Sequence, residues 1–138
     1  MIYKKLLVAI SCSDTDEKVL QHAAALANSL DASLTAIHVN DPAAGKTHSM
    51  MDSLPKFDDA KIREHFDQLG FDTYAKSMQI ISAEGEHYPS VIAAAAADYD
   101  LLIIGHRRKG RMLAFMTDST DEKVADLAQN CIMLVPLD

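Results

Sequence analysis

Short apolar runs alternate along this chain with segments of helical period. Nearly continuous runs, such as 6–10 and 101–104, are typical of strands that are buried on both faces of a sheet. The segments between them repeat apolar residues every three or four positions, which indicates one apolar helix face; in the first segment these residues are Val19, Ala23, Leu26 and Leu30. The pattern predicts five strands, at 4–10, 33–39, 76–82, 100–105 and 131–137, and four helices, at 13–31, 56–70, 88–100 and from 119 onward.

Strands that alternate with helices in this way predict an α/β fold, an open five-stranded parallel sheet with helices on both faces, similar to a Rossmann fold. We expect one domain over residues 1–138, and a polar surface loop at 40–56. Ligands of such sheets bind at the carboxyl ends of the strands, near the point where strand order reverses. This rule brings together the ends of three strands, which are Ser11 and Cys12, Val39 and Asn40, and Gly105 and His106.

Composition narrows the classes of partner. The chain has 138 residues, of which 49% are hydrophobic, and a formal net charge of -7, which argues against broad affinity for nucleic acid or anionic membrane. Its apolar runs are too short to span a membrane or to form a signal sequence, so a cytoplasmic location is the default. Cys12 and Cys131 lie beside apolar runs, and we expect reduced, mostly buried thiols.

Against this acidic background, the loop after the fourth strand is locally basic. Four of the thirteen Lys and Arg residues fall between 107 and 111. A glycine that ends a buried strand, then a loop, then a serine that begins a helix is the usual layout of a phosphate site. Here Gly105 and Ser119 take those two places, and Ser119 with Glu122 has the spacing of a capping box.

Four segments resemble the universal stress protein family: YKKLLVAISCSDTDEKVL, LTAIHV, YDLLIIGH with its following loop, and CIMLVPL. The resemblance covers essentially the whole chain. It implies an open five-stranded domain, similar to the adenine nucleotide alpha hydrolases, that pairs with a second copy through its last strand. Many members of the family bind ATP with a loop written G-x2-G-x9-G-[ST].

The chain departs from that loop at several places. In the register set by Gly105 and Ser119, the second and third glycines fall on Arg108 and Asp118. Members that hold adenine also tend to have an aspartate at the end of the first strand, where this chain has Ser11. Arginine cannot bring backbone N–H groups as close to phosphate as glycine does, and Asp118 places a negative charge where phosphate would sit. The chain therefore resembles the members that lack the ATP motif.

Two interpretations of the basic loop stay open. Its charges either form a solvated surface that pairs with nearby acidic residues, or bind an anion through side chains. In the second case ATP or AMP is the conditional ligand, and Arg108→Ala should weaken its binding. The candidate nucleotide- or anion-binding residues are Ser11, Val39, Gly105, His106, Arg107, Arg108, Lys109 and Ser119.

Other short motifs in the chain are weaker evidence for a function. The segment 43–47 has the Gly-Lys-Thr end of a P-loop but lacks its first glycine, since that place is Asn40. The six histidines do not have the spacing of metal ligands, so we expect no metal, and His38 is expected to be a hydrogen-bonded core residue. Ser13 or Asp14 can cap the first helix, and Ser13 and Ser119 are explained as helix caps. We therefore expect no cofactor and no catalytic residue, with weak ATP hydrolysis as the remaining enzymatic alternative.

The last strand predicts a partner. It is apolar and would lie at the edge of the sheet, where proteins usually cover or pair an exposed strand. Pairing with a second copy would satisfy its backbone groups, with two-fold symmetry; the residues expected to hold this homodimer are Ile132, Met133, Leu134 and Val135. The sequence thus favours a cytoplasmic stress-response or signalling protein that acts through contacts with unknown protein partners and does not bind ATP tightly. The alternative is a regulator that binds ATP or AMP at a modified site.

Overall fold

The computed structural model describes residues 2–45, 55–107 and 120–137. Five strands and five helices alternate in these ranges. The strands are β1 (Lys5–Ala9), β2 (Ser33–Asn40), β3 (Gln79–Glu84), β4 (Leu101–His106) and β5 (Cys131–Pro136). The helices are α1 (Asp16–Leu30), α2 (Asp59–Gln68), α3 (Asp72–Ser77), α4 (Tyr88–Ala96) and α5 (Thr120–Leu127).

All five strands pair in parallel in the order β3-β2-β1-β4-β5. The predicted open parallel sheet is therefore confirmed. The chain adds β2 and β3 on one side of β1 and then crosses to add β4 and β5 on the other. The strand order thus reverses between β1 and β4, the position at whose carboxyl edge such sheets bind ligands.

Both faces of the sheet are covered, because side chains alternate between two buried clusters. On one face, Leu6 and Val8 pack with α1, α2 and α3, around the fully buried Phe66. On the other face, Leu7 and Ala9 pack with α4 and α5. Burial on both faces explains why β1 and β4 are nearly continuous apolar runs in the sequence.

The structure corrects three sequence expectations. The segment before β3 contains α3, which the pattern missed because six residues are too few to establish a helical period; β3 accordingly begins at Gln79 instead of 76. The apolar face of α1 continues through Leu20 and Ala27, while Leu26 and Leu30 are only half-buried. The residue before α1 is Thr15, whose side chain makes no capping hydrogen bond, so the expected cap at Ser13 is wrong.

The expectation for the cysteines holds only in part. Both thiols are free, but Cys12 is half-buried and Cys131 is exposed, because Cys131 begins a strand at the edge of the sheet. Within the described ranges, no helix is long and apolar enough to cross a membrane.

Candidate functional site: a cavity at the carboxyl ends of the strands

A cavity of about 440 Å³ opens at the carboxyl ends of β1, β2 and β4, beside the point where strand order reverses. Its volume lies within the range of about 300–1,000 Å³ that is usual for small-molecule sites. The described wall combines apolar, aromatic and acidic side chains: Ala9, Ile10, Ser11, Thr15, Asp16, Val19, His38, Val39, Asn40, Asp41, Ala44, Pro55, Phe57, Tyr88, Ile92, Ile104, Gly105, Asp121 and Leu137.

The structure brings three of the predicted site residues together, since Ser11, Val39 and Gly105 all line this cavity. His106 lies one residue further along β4 and contacts a residue of the wall, as described below. Arg107 is exposed. The remaining predicted residues, Arg108, Lys109 and Ser119, lie outside the described residues, as do Asp118 and Arg111.

Asp16 organises the turn between β1 and α1. Its side chain is almost fully buried and accepts four hydrogen bonds. Oδ1 accepts from the backbone N–H of Ser11 at 2.9 Å and from the Ser11 hydroxyl at 3.1 Å. Oδ2 accepts from the backbone N–H of Cys12 at 2.7 Å and lies 2.9 Å from Nε2 of His65 on α2. The buried carboxylate is therefore fully hydrogen-bonded, and it is the common acceptor for four part-buried donors.

The same hydrogen bonds hold Cys12 in an unusual conformation. Its φ of 61° lies in the left-handed region, which is uncommon for residues other than glycine. The bond from its N–H to Asp16 fixes this geometry. Burial, with a further contribution from the Asp16 charge, raises the pKa of the Cys12 thiol to about 12, so the group is a protonated thiol at neutral pH.

A second buried carboxylate, Asp121, lines the cavity from the first turn of α5. Its Oδ2 lies 2.5 Å from Nδ1 of His106 at the end of β4. The imidazole therefore donates to the carboxylate and links β4 to α5. The predicted site residue His106 thus contacts the cavity wall through its hydrogen bond to Asp121.

An aromatic wall lies on the β2 side of the cavity. The rings of His38 and Phe57 meet edge to face, with centroids 5.4 Å apart. Nδ1 of His38 lies 3.1 Å from the carbonyl oxygen of Ile10, which can only accept, so Nδ1 carries the hydrogen. The expected hydrogen bond of His38 is confirmed, but the residue is half-buried and lines the cavity instead of lying in the core. The buried Asn40 side chain pairs with both the N–H and the carbonyl of Phe57, each at 2.9 Å, and so fixes this wall.

Gly105 has a packing role in the structure. A Cβ at this position would lie 3.0 Å from Leu137 and 3.1 Å from Val19. Because Gly105 has no side chain, Val19 of α1 and Leu137, which follows β5, pack closely against the end of β4. This contact accounts for the glycine without any phosphate.

The sequence interpretation missed Asp16 and Asp121, because acidic residues in a first helical turn are explained by the helix dipole. A signal was nevertheless present. Asp16 lies three residues before Val19, and Asp121 lies three residues before Val124, so each falls on the buried face of its helix. An acidic residue on the apolar face of a helix indicates a buried and hydrogen-bonded carboxylate. Asn40 was expected at the ligand edge as the end of the second strand, but its hydrogen bonds to Phe57 were not predicted.

No group of three or more His, Cys, Asp or Glu side chains that could hold a metal occurs among residues 2–45, 55–107 and 120–137. The two Asp–His pairs lie in different places, with His65 on α2 and His106 on β4.

The model of the universal stress protein family matches residues 2–136 of the chain. No match was found among curated proteins. Solved structures similar to the chain include a universal stress protein in complex with cAMP, 16% identical with a TM-score of 0.66, over 99% of this chain and 98% of that one.

Two further structures cover both chains almost fully. A universal stress protein from Archaeoglobus fulgidus in complex with dAMP is 20% identical with a TM-score of 0.60, over 97% of this chain and 98% of that one. A universal stress protein family member from Burkholderia pseudomallei is 22% identical with a TM-score of 0.60, over 98% and 97% of the two chains. At these identities the likeness is one of fold.

The first prediction concerns Asp16. Asp16→Ala removes the buried acceptor of four hydrogen bonds, including the pair with His65, so we expect the free energy of unfolding to fall by about 3–5 kcal/mol. Glu17→Ala is the matched control, since the neighbouring Glu17 is exposed; this change should stay within about 0.5 kcal/mol. Urea unfolding of both variants measures the difference, and a loss below about 1 kcal/mol in Asp16→Ala would contradict the role of this carboxylate.

The second prediction concerns Cys12. In a Cys131→Ser variant, Cys12 is the one thiol left. With a pKa of about 12 it is about one part in ten thousand thiolate at pH 8, so iodoacetamide should modify it very slowly. The same variant in denaturant should react readily. Mass spectrometry that finds native and denatured protein alkylated at similar rates would rule out the raised pKa.

Proposed function

The chain belongs to the universal stress protein family, and from that premise we propose that it is a cytoplasmic stress-response or signalling protein that acts as a homodimer through contacts with other proteins. In this proposal the protein does not hold ATP tightly. The observation that argues against tight binding of ATP is Asp121, a buried carboxylate that lines the cavity from the first turn of α5.

A helix N-terminus binds phosphate because its free N–H groups and its dipole favour negative charge. In the first turn of α5 that charge is supplied by the protein's own side chains, Asp121 and Glu122. A triphosphate at this end of the cavity would lie beside a like charge that is shielded from water, where repulsion is strongest. Asp118, whose negative charge the sequence places where phosphate would sit, is a second reason to expect weak binding of ATP.

A nucleotide-binding regulator is the second candidate. It is favoured by the cavity itself, since Ser11, Val39 and Gly105 line a space of about 440 Å³ at the usual ligand position of such sheets. The solved relatives in complex with cAMP and dAMP support it as well. The basic residues at 107–111 would then bind the phosphate through their side chains.

The proposal does not include catalysis. A general base needs a lone pair that is free to take a proton. The lone pairs of Asp16 are already engaged, because this carboxylate accepts hydrogen bonds from four donors of the protein. Weak hydrolysis of ATP is the alternative, and it would appear as release of phosphate on prolonged incubation.

The homodimer is proposed from the edge strand β5. Leu134 is 45% exposed, although it lies in the middle of an apolar strand, and Leu127 at the end of α5 is 48% exposed. Ile132 and Met133 are half-buried. The side chain of Val135 is fully buried in the protomer core, so Val135 would contribute to the pairing through its backbone alone.

The third prediction tests ATP binding. Purified protein should carry no nucleotide, and ATP at tens of micromolar should leave the thermal midpoint unchanged. A ligand at 100 times its Kd adds about 2.7 kcal/mol to the free energy of unfolding, so tight binding could not escape this measurement. A clear rise of the midpoint with ATP would favour the nucleotide-binding regulator instead.

The fourth prediction tests the homodimer. Leu134→Lys places charges inside the paired edge, so the mass in solution should fall towards the 15.1 kDa of one chain. Gln21→Lys is the control, because it adds the same charge at an exposed position of α1 and should leave the mass unchanged. Sedimentation of the unmutated protein at monomer mass at tens of micromolar would refute the dimer.

A further inference from the structure

A second cavity, of about 360 Å³, lies at the opposite end of the sheet, where β2 and β3 begin. Its wall is formed by the end of α1, the start of β2 and the junction of α3 with β3. These residues fall within 27–35 and 74–79, two stretches that the structure describes in full. They are separate from the residues that line the cavity at the carboxyl ends of the strands, so a ligand bound here would not occupy that site.

The helix ends at this edge of the sheet favour cations. Helices of a parallel α/β sheet run antiparallel to its strands, so α1 and α3 end where β2 and β3 begin. The C-terminal end of a helix carries a partial negative charge, and the last turn of α1 contains no basic residue that would offset it. Two lysines are close in the chain, Lys4 and Lys76; both are exposed, and neither is part of the cavity wall.

Asp31 adds a full negative charge to this cavity. It is the residue at which α1 ends, and its φ of 52° lies in the left-handed region, where glycine or asparagine is usual. A carboxylate beside a helix C-terminus is also unfavourable, because both carry negative charge. Its side chain has no hydrogen bond or ion pair within the described ranges. Asp31 thus lowers stability in two ways, and a backbone outlier that persists at such a cost is a reason to look for a function.

Two hydroxyl groups near Asp31 present acceptors to the cavity, because Ser33 and Ser77 both line it. The Ser33 hydroxyl donates its hydrogen to the carbonyl of Lys4 at 3.3 Å, and the Ser77 hydroxyl donates to the carbonyl of Thr73 at 3.0 Å. Each hydroxyl has a single hydrogen, so lone pairs are what remains free on its oxygen. These two oxygens can therefore accept from a ligand that donates.

Apolar surface completes the wall. Met78 is buried, and the ring of Tyr74 is half-buried. An ammonium group has three hydrogens to donate and no lone pair, and cations are attracted to aromatic rings. A carboxylate, two hydroxyl acceptors and a phenol ring are therefore complementary to a primary ammonium group on a short alkyl chain.

We propose that this cavity binds primary alkylammonium groups, with the Asp31 carboxylate as their charged partner. The group is supplied either by a free aliphatic amine or by a lysine side chain of another protein. Because Asp31 is exposed to water, binding is weak and reversible, with a Kd on the order of 1 mM. This inference goes beyond the proposed function and does not depend on whether the first cavity holds ATP.

Two probes that differ in the charged group alone test the proposal on the full chain. They are pentan-1-amine, which is protonated at about pH 7.5, and pentan-1-ol. Nuclear magnetic resonance follows the backbone amides of Asp31, Ser33 and Gln79 during each titration, at constant ionic strength. We expect the amine to shift these amides in a saturable way, and the alcohol to bind at least about tenfold more weakly. The amide of Gly105, at the other end of the sheet, should not move.

A pair of variants assigns the binding to one carboxylate. Asp31→Asn removes the charge and keeps the size of the side chain, so the affinity for pentan-1-amine should fall at least about fivefold. Asp67→Asn is the matched control, since Asp67 is an exposed acid near the end of α2 and lies outside the cavity wall; here the affinity should change less than about twofold.

Thermal melting of Asp31→Asn separates a binding residue from a structural one. Asparagine tolerates the left-handed conformation and carries no charge, so the midpoint should stay equal or rise while the affinity falls. A lower midpoint would mean that the carboxylate stabilises the fold, which contradicts the proposal. A similar response to the amine and the alcohol, or an affinity that survives Asp31→Asn, would overturn it.

A third probe identifies the source of the ammonium group. N-acetyl-lysine N-methylamide carries the lysine side chain on a backbone like that of a protein. Tighter binding of this compound than of pentan-1-amine supports a lysine of a protein partner, and tighter binding of pentan-1-amine supports a free amine. If neither compound shifts the amides of Asp31, Ser33 and Gln79, the proposal is wrong.

Discussion

The hydrogen bonds to the Asp16 carboxylate connect the elements on which the cavity depends. They join the end of β1 to the start of α1 through the N–H groups of Ser11 and Cys12, and they reach α2 through His65. Loss of the carboxylate would remove the common acceptor of these part-buried donors. The left-handed Cys12, the position of Ser11 and the contact between two helices therefore share one origin. The shape of the cavity follows from a polar network, while the sheet beneath it is held by apolar packing.

Most of the fold could be predicted from the sequence, because burial on both faces makes β1 and β4 apolar almost without interruption. Parallel pairing and the edge position of β5 followed from the alternation of strands and helices. Helix α3 could not be predicted, since six residues establish no period. The partial exposure of Leu26 and Leu30 could not be predicted either, because an apolar face of four residues does not show which part of it contacts the sheet.

The site was predictable in position and much less so in chemistry. Ser11, Val39 and Gly105 line one cavity, because the carboxyl ends of neighbouring strands lie together; their part in binding a ligand stays a prediction. The buried aspartates were not identified, since a first-turn acid has a sufficient explanation in the helix dipole. Their position on the apolar face of each helix, three residues before Val19 and Val124, could have identified them as buried. The walls made by Asn40 and Phe57 depend on a contact between residues 17 apart, which no local pattern reports.

The central claim is that the protein's own carboxylates occupy the anion positions of this cavity. The most direct test is a nuclear magnetic resonance titration that follows the backbone amides of Ser11, Val39 and Gly105. Tripolyphosphate should leave these amides in place, because Asp16 and Asp121 already supply negative charge there. Saturable shifts of the same amides with tripolyphosphate would contradict the account.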